Sequence, residues 1–101
     1  MPGAVLAMPR NEVEQFCQRN HIRRLSLFGS ILTPRFRPES DIDVLVEFEP
    51  ESAPTLFDVV AMEQELGEKL GRKVDLRTPG DLSRYFRDEV VAAAALQYER
   101  E

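Results

Sequence analysis

Asp41 and Asp43 stand two residues apart in the run Asp41-Ile42-Asp43-Val44-Leu45-Val46-Glu47-Phe48, and a third aspartate, Asp75, lies between Val74 and Leu76. Along an extended strand, side chains two apart share a face at a spacing of roughly 6.6–6.8 Å. Asp41 and Asp43 therefore project together, while Ile42, Val44, Val46 and Phe48 turn toward a core. Two ionised carboxylates side by side repel each other and resist shared desolvation. A divalent cation removes that conflict. Magnesium, which takes one or two carboxylates together with water and substrate phosphate at about 2.0–2.1 Å, suits the pair. If the strand of Asp75 neighbours theirs, three carboxylates share one face and can hold two magnesium ions about 3.5–4 Å apart. One ion would activate an attacking hydroxyl and the other would neutralise a leaving pyrophosphate.

Such chemistry needs a cradle for a triphosphate. Gly29 lets the backbone turn sharply and approach an anion closely. Ser30, eleven residues before Asp41, is expected to cap a short helical turn whose free N–H groups suit phosphate. Singly, these features are common. A Gly-Ser pair is usually a plain turn, and Asp75 could form a surface ion pair of little worth with Arg72 or Arg77. Their order, and their separation by strands, is what points to a nucleotide site.

The elements that must position them follow from periodicity. Val13, Phe16 and Cys17 recur at helical spacing after Pro9, with a stop at Asn20-His21. Arg24 to Phe28 alternates apolar and polar as a half-buried strand. A loop rich in proline and arginine runs from Thr33 to Glu39, followed by the strand Asp41 to Phe48 and a linker from Pro50 to Pro54. Leu56, Val59, Met62, Leu66 and Leu70 mark an amphipathic helix closed by Gly71. Val74 to Leu76 is a short strand ended by Thr78-Pro79-Gly80. Leu82, Phe86, Val90 and Ala94 predict a last helix running toward Tyr98. The fold class is α/β (α+β), a small mixed β-sheet flanked by helices.

With 101 residues, 43% of them apolar and 31% charged, the chain has the balance of one soluble domain spanning 1–101, of which 1–9 is expected to be a flexible N-terminus. A domain of this size buries about two-thirds of its unfolded surface, so a site should lie open at a sheet edge, completed by a partner. The net charge of −5 argues against direct nucleic-acid binding. The single cysteine, Cys17, excludes an internal disulfide and reads as a buried apolar residue. No stretch approaches the ~18 apolar residues of a membrane span, and a cytoplasmic location is expected.

Phe28-Gly29-Ser30 followed by Ser40-Asp41-Ile42-Asp43-Val44-Leu45-Val46-Glu47-Phe48 resembles the signature of the minimal nucleotidyltransferases of the DNA polymerase β superfamily. Gly71-Arg72-Lys73-Val74-Asp75-Leu76 is similar to that family's third-carboxylate segment. The resemblance runs from about Val13 to Tyr98. It implies the nucleotidyltransferase fold, with Asp41, Asp43 and Asp75 as catalytic metal ligands and Gly29-Ser30 at the phosphates. It also implies a helical HEPN-type partner, in characterised branches a toxic ribonuclease that the small transferase silences by moving AMP from ATP to a tyrosine. The chain would then be the antitoxin of a toxin–antitoxin pair. The alternative is a non-catalytic antitoxin, or a nucleotide-binding subunit, acting by binding alone. Where the family commonly carries an arginine three residues after the serine, this sequence has Thr33 followed by Pro34. Arg35 or Arg37 is the replacement on nucleotide phosphates, since arginine forks match phosphate oxygens; the alternative is that both are solvated loop charges.

Glu47 shares the face of Asp41 and Asp43 but lies roughly 13 Å beyond Asp43 on an extended strand, too far for a shared ion. It reads as a solvated or partner-facing carboxylate, within a solvated Glu47-Glu49-Glu51 run. His21 has no second histidine to make a metal site. Tyr85, Phe86 and Tyr98 read as packing residues.

Overall fold

The computed structural model describes residues 7–37 and 39–100. Residues 1–6 of the expected flexible N-terminus, and Pro38 of the arginine loop, lie outside the described residues. Helix α1 spans Arg10–Arg19, strand β1 Ile22–Phe28, β2 Ile42–Phe48, α2 Leu56–Leu70, β3 Val74–Arg77, α3 Arg87–Ala93 and β4 Ala95–Glu99. Single 3₁₀ turns occupy Gly29–Leu32 and Pro79–Asp81.

The four strands form one mixed sheet in the order β3-β2-β1-β4. β1 runs antiparallel to both β2 and β4, and β2 runs parallel to β3 across the α2 crossover. This is the α+β architecture the strand and helix periods predict. Phe16 and Cys17 of α1, Leu25 and Leu27 of β1, Val44 and Val46 of β2, and Met62 and Leu66 of α2 are buried in the core. At roughly 25 cal/mol per Å² of apolar surface removed from water, these side chains dominate the driving force for folding. Helix α2 is defined at both ends. Thr55 and Asp58 exchange side-chain-to-backbone hydrogen bonds of 3.2 and 2.8 Å at its start, and Gly71 closes it with φ +67 in the left-handed region.

The far edge of β3 is not left bare. Glu63 of α2 accepts a 2.7 Å hydrogen bond from the Leu76 backbone N–H, which satisfies an edge donor that would otherwise invite another strand. Among the described residues no helix is long and apolar enough to cross a membrane.

Three expectations need correction. The last helix does not run from Leu82 toward Tyr98; it is confined to Arg87–Ala93, and the chain then forms strand β4. Ladder bonds with β1 override the helix preference of the alanine run, which presents no stripe wide enough to bury. Leu56, counted on the buried stripe of α2, is 77% exposed, because it opens the helix before the chain reaches the sheet. Tyr85 and Phe86 are 77% and 61% exposed and do not pack in the core, since both lie in the irregular stretch before α3.

Candidate active site at the sheet end

Strand register brings the key residues to one level. Phe28, the last residue of β1, lies opposite Asp43 of β2. Asp43 in turn lies opposite Asp75 of β3 in the parallel ladder. Neighbours Ile42, Val44, Val74 and Leu76 are buried in the core, so Asp43 and Asp75 both project from the other face of the sheet. Asp41, expected as the first residue of that strand, instead immediately precedes β2, which begins at Ile42. Its Oδ2 lies 3.9 Å from Lys73 Nζ.

The turn after Phe28 presses directly on this group. Gly29 has φ +78, a left-handed conformation that side chains rarely adopt, and a Cβ there would collide with Asp43 Oδ2. Two independent constraints thus require glycine. Ser30 is the second residue of the four-residue 3₁₀ turn rather than its cap, and no side chain caps that turn. So short a turn has little macrodipole, and anion binding there depends on individual N–H groups left free by its first residues. The Ser30 carbonyl accepts from both the Thr33 N–H, at 2.9 Å, and the Thr33 hydroxyl, at 2.8 Å. Among the described residues the Ser30 hydroxyl itself makes no hydrogen bond.

Electrostatics single out Asp43. Partial burial first, then the charges of Asp75 and Asp41, raise its carboxyl above the ordinary aspartate range, with Arg77 opposing. Lys73 and Arg77 flank Asp75 two residues to either side, the same-face spacing of a strand. Arg77 Nη2 donates to Asp75 Oδ2 at 3.2 Å, with both side chains well exposed. Exposed pairs of this kind contribute about 0–1 kcal/mol, so the acid is not locked away. Among the described residues no three His, Cys, Asp or Glu side chains are posed closely enough to form a metal-holding group. The donor chemistry nonetheless fits a hard divalent cation: Asp41, Asp43 and Asp75 supply only oxygens, and crowding of like charge at Asp43 is the strain such an ion relieves.

Arg35 and Arg37 are exposed on the loop between the turn and Asp41. Their backbone N–H groups donate to Thr33 Oγ1 at 3.2 Å and Ser40 Oγ at 3.1 Å. Neither guanidinium pairs with a carboxylate among the described residues, and neither touches the aspartates. Glu47 is not simply solvated: Arg24 holds it at 3.0 Å and holds Glu99 as well. Glu49 is bonded to Arg100 at 2.7 Å, with its side chain only 13% exposed. The Arg24–Glu47 pair spans β1 and β2, whereas the Glu99 and Arg100 contacts depend on β4 lying beside β1, which a helical reading of that segment hides. His21 sits at φ +57 in the α1–β1 turn, away from any metal-ligand cluster among the described residues.

The profile of the nucleotidyltransferase domain family matches residues 10–96. A candidate protein adenylyltransferase of Methanocaldococcus jannaschii is 34% identical over 76 residues, 75% of this chain and 80% of that protein. A solved structure described as a candidate minimal nucleotidyltransferase superposes with a TM-score of 0.69 at 33% identity, covering 84% of this chain and 85% of that one. The fold is shared, at 20% identity and a TM-score of 0.63, with a chain of a Shewanella oneidensis complex between a tri-AMPylated HEPN toxin and its MNT antitoxin; the match covers 90% of this chain and 70% of that one.

Proposed function

The chain belongs to the nucleotidyltransferase domain family, and from that premise we propose that it is a magnesium-dependent protein adenylyltransferase, transferring AMP from ATP to a hydroxyl of a HEPN-type toxin partner. The observation that carries this reading is the placement of Asp43 opposite Asp75 in adjacent strands, with Gly29 against the Asp43 carboxylate. A domain built only to cover a partner has no need of acids in register on one open face.

In the proposed reaction the acceptor hydroxyl oxygen bonds to the α-phosphorus of ATP while the bond from that phosphorus to pyrophosphate breaks. The hydroxyl proton passes to water. Asp41, Asp43 and Asp75 would hold the two magnesium ions, which when bound neutralise phosphate charge and lower the proton affinity of the attacking hydroxyl. Gly29 lets the Asp43 carboxylate lie directly against the turn, and the Ser30 hydroxyl, which makes no hydrogen bond among the described residues, is available as a donor to phosphate. Arg35 and Arg37, whose guanidinium groups pair with no carboxylate among the described residues, would take the outer phosphates. The face beside the aspartates is open, which suits an acceptor as large as a folded protein.

The competing reading, an antitoxin that acts by binding alone, draws on the cations already beside two of the acids, Lys73 at Asp41 and Arg77 at Asp75. The test combines the chain with magnesium, ATP labelled on its α-phosphate and a HEPN-type protein encoded next to it. Label should appear on the partner with the wild type and fall by at least about 10²-fold with Asp43→Ala or Asp41→Ala, as for loss of a preorganised charge-stabilising group. Neutralisation of the partner without any label transfer establishes the binding-only reading instead.

A further inference from the structure

One guanidinium outside the aspartate group holds three separate points of the arginine loop. Arg72 lies between Gly71, which ends α2, and β3, which carries Asp75. Its Nη1 donates to the Arg37 carbonyl at 3.2 Å and to the Ser40 carbonyl at 3.4 Å. The same guanidinium stacks over Phe36, with its central carbon 4.4 Å from the ring centroid. Among the described residues no carboxylate pairs with it. An arginine that forgoes an ion pair for two carbonyls and a ring is using its planar, multi-donor shape rather than its charge alone.

The loop it grips is tied at both ends to the site. At its start, Thr33 bonds to the Ser30 carbonyl through both hydroxyl and N–H. At its finish, Arg37 and Ser40 bond reciprocally, Arg37 N–H to Ser40 Oγ at 3.1 Å and Ser40 N–H to the Arg37 carbonyl at 3.0 Å. Asp41 follows at once, and the Ile42 N–H donates to the Lys73 carbonyl at 2.9 Å. Arg72 is therefore anchored to the same strand pair that sets Asp43 opposite Asp75, and it transmits that position to the loop bearing Arg35 and Arg37.

We propose that Arg72 is a positioning residue: by stacking on Phe36 and holding the Arg37 and Ser40 carbonyls, it fixes the loop so that Arg35 and Arg37 meet the phosphates of a nucleoside triphosphate at the aspartate face. This rests on the nucleotide site proposed above. It also assigns a substitute for the family arginine that Thr33 replaces. The replacement cations come from further along the loop, and Arg72 supplies the rigidity that their longer reach requires.

The test uses Arg72→Ala, Arg72→Lys and Phe36→Leu in the full chain. Binding of a fluorescent ATP analogue with magnesium is measured, together with the rate at which trypsin cuts the Arg35–Phe36 bond and the melting temperature. Arg72→Ala should weaken nucleotide binding about tenfold, a modest share of what a 1 Å misplacement can cost, and speed the cut several-fold, with Tm near the wild type. Phe36→Leu should move both readouts the same way without touching β3. Arg72→Lys should recover only part of each, because an ammonium can reach a carbonyl but cannot stack as a plane. In the transfer assay KM for ATP should rise while kcat changes little, the pattern of lost ground-state positioning. Unchanged cutting in all variants overturns the proposal, as does faster cutting with wild-type affinity. If the wild type binds nucleotide but transfers nothing, the transferase reading fails while the affinity differences still decide the role of Arg72. A wild type that binds no nucleotide overturns both.

Discussion

Asp43 is pressed by Gly29 on one side and faced by Asp75 on the other, so its ionised form has lost water and gained like-charged neighbours. Its proton affinity in the fold is therefore raised above that of the unfolded chain. For an acid shifted this way, the stabilising contribution is complete below the unfolded aspartate pKa of about 3.9 and is lost as pH rises through the higher folded value. At neutral pH the charge at this position opposes folding. Asp43→Asn removes the charge and keeps the shape. In chelator-treated buffer at pH 7 the variant should melt higher than the wild type by a few degrees, and the gap should close near pH 4. Transfer should be lost in the same variant. A lower melting temperature at pH 7 would show that the carboxylate is stabilised by its neighbours, and the physical case for a cation there would go with it. The two-residue spacing of Asp41 and Asp43 was enough to suggest that they act together, and the charge of Asp41 is indeed felt at Asp43 although Asp41 lies just outside β2. The collision waiting at Gly29 was not visible, because it depends on which strand lies beside β2.

At the scale of elements, α2 is the helix whose boundaries the chain states most openly. Thr55 and Asp58 form a reciprocal cap, and Gly71 takes the left-handed turn that ends the helix. Thr55→Ala should cost about 1 kcal/mol, seen as a fall in Tm of about 4–8 °C for a domain near this size. The urea m-value should stay unchanged, since the surface exposed on unfolding is the same. No loss of stability would mean that water replaces the cap bond at this exposed end. The C-terminal segment behaves differently. Its alanines favour helix locally, yet residues 95–99 pair with β1 from Arg24 to Leu27. A register irregularity between Leu25 and Ser26 accommodates that pairing. Helix propensity is worth only about 0–0.7 kcal/mol per ordinary residue, and an available sheet edge outweighs it.

For the molecule as a whole, both long helices lie on one face of the sheet and the aspartates on the other. The main core lies between those helices and the sheet, and Cys17 belongs to it. The thiol is fully buried, and loss of hydration pushes its pKa up to about 12. The free thiol of the unfolded chain ionises at about 8.5. The folded form thus keeps its proton where the unfolded form loses it. The stability this contributes is complete below the unfolded value and drains away as pH rises toward the folded one, by about 1.4 kcal/mol per pH unit. Urea unfolding of wild type and Cys17→Ala between pH 8 and 11 should show the steeper decline only in the wild type. The thiol should also resist a disulfide reagent until the chain unfolds. Rapid labelling of the native protein would show that the core opens far below global unfolding.

Alternation of apolar and acidic residues in β2, the three-and-four stripe of α2, and the order of Gly29-Ser30, Asp41, Asp43 and Asp75 along the chain were legible in the sequence alone. Each is a local pattern, set by the period of a strand or helix and by the few residues that tolerate a sharp turn. Tertiary structure decided what those patterns meet. It set Asp43 opposite Asp75, laid β4 beside β1 so that Arg24 bridges Glu47 and Glu99, and brought Arg72 onto Phe36 across 35 residues of chain. Strand neighbours and cross-chain contacts have no period in sequence. They are chosen by the burial and hydrogen bonding of the whole sheet at once, and the chemistry of the site follows from that choice.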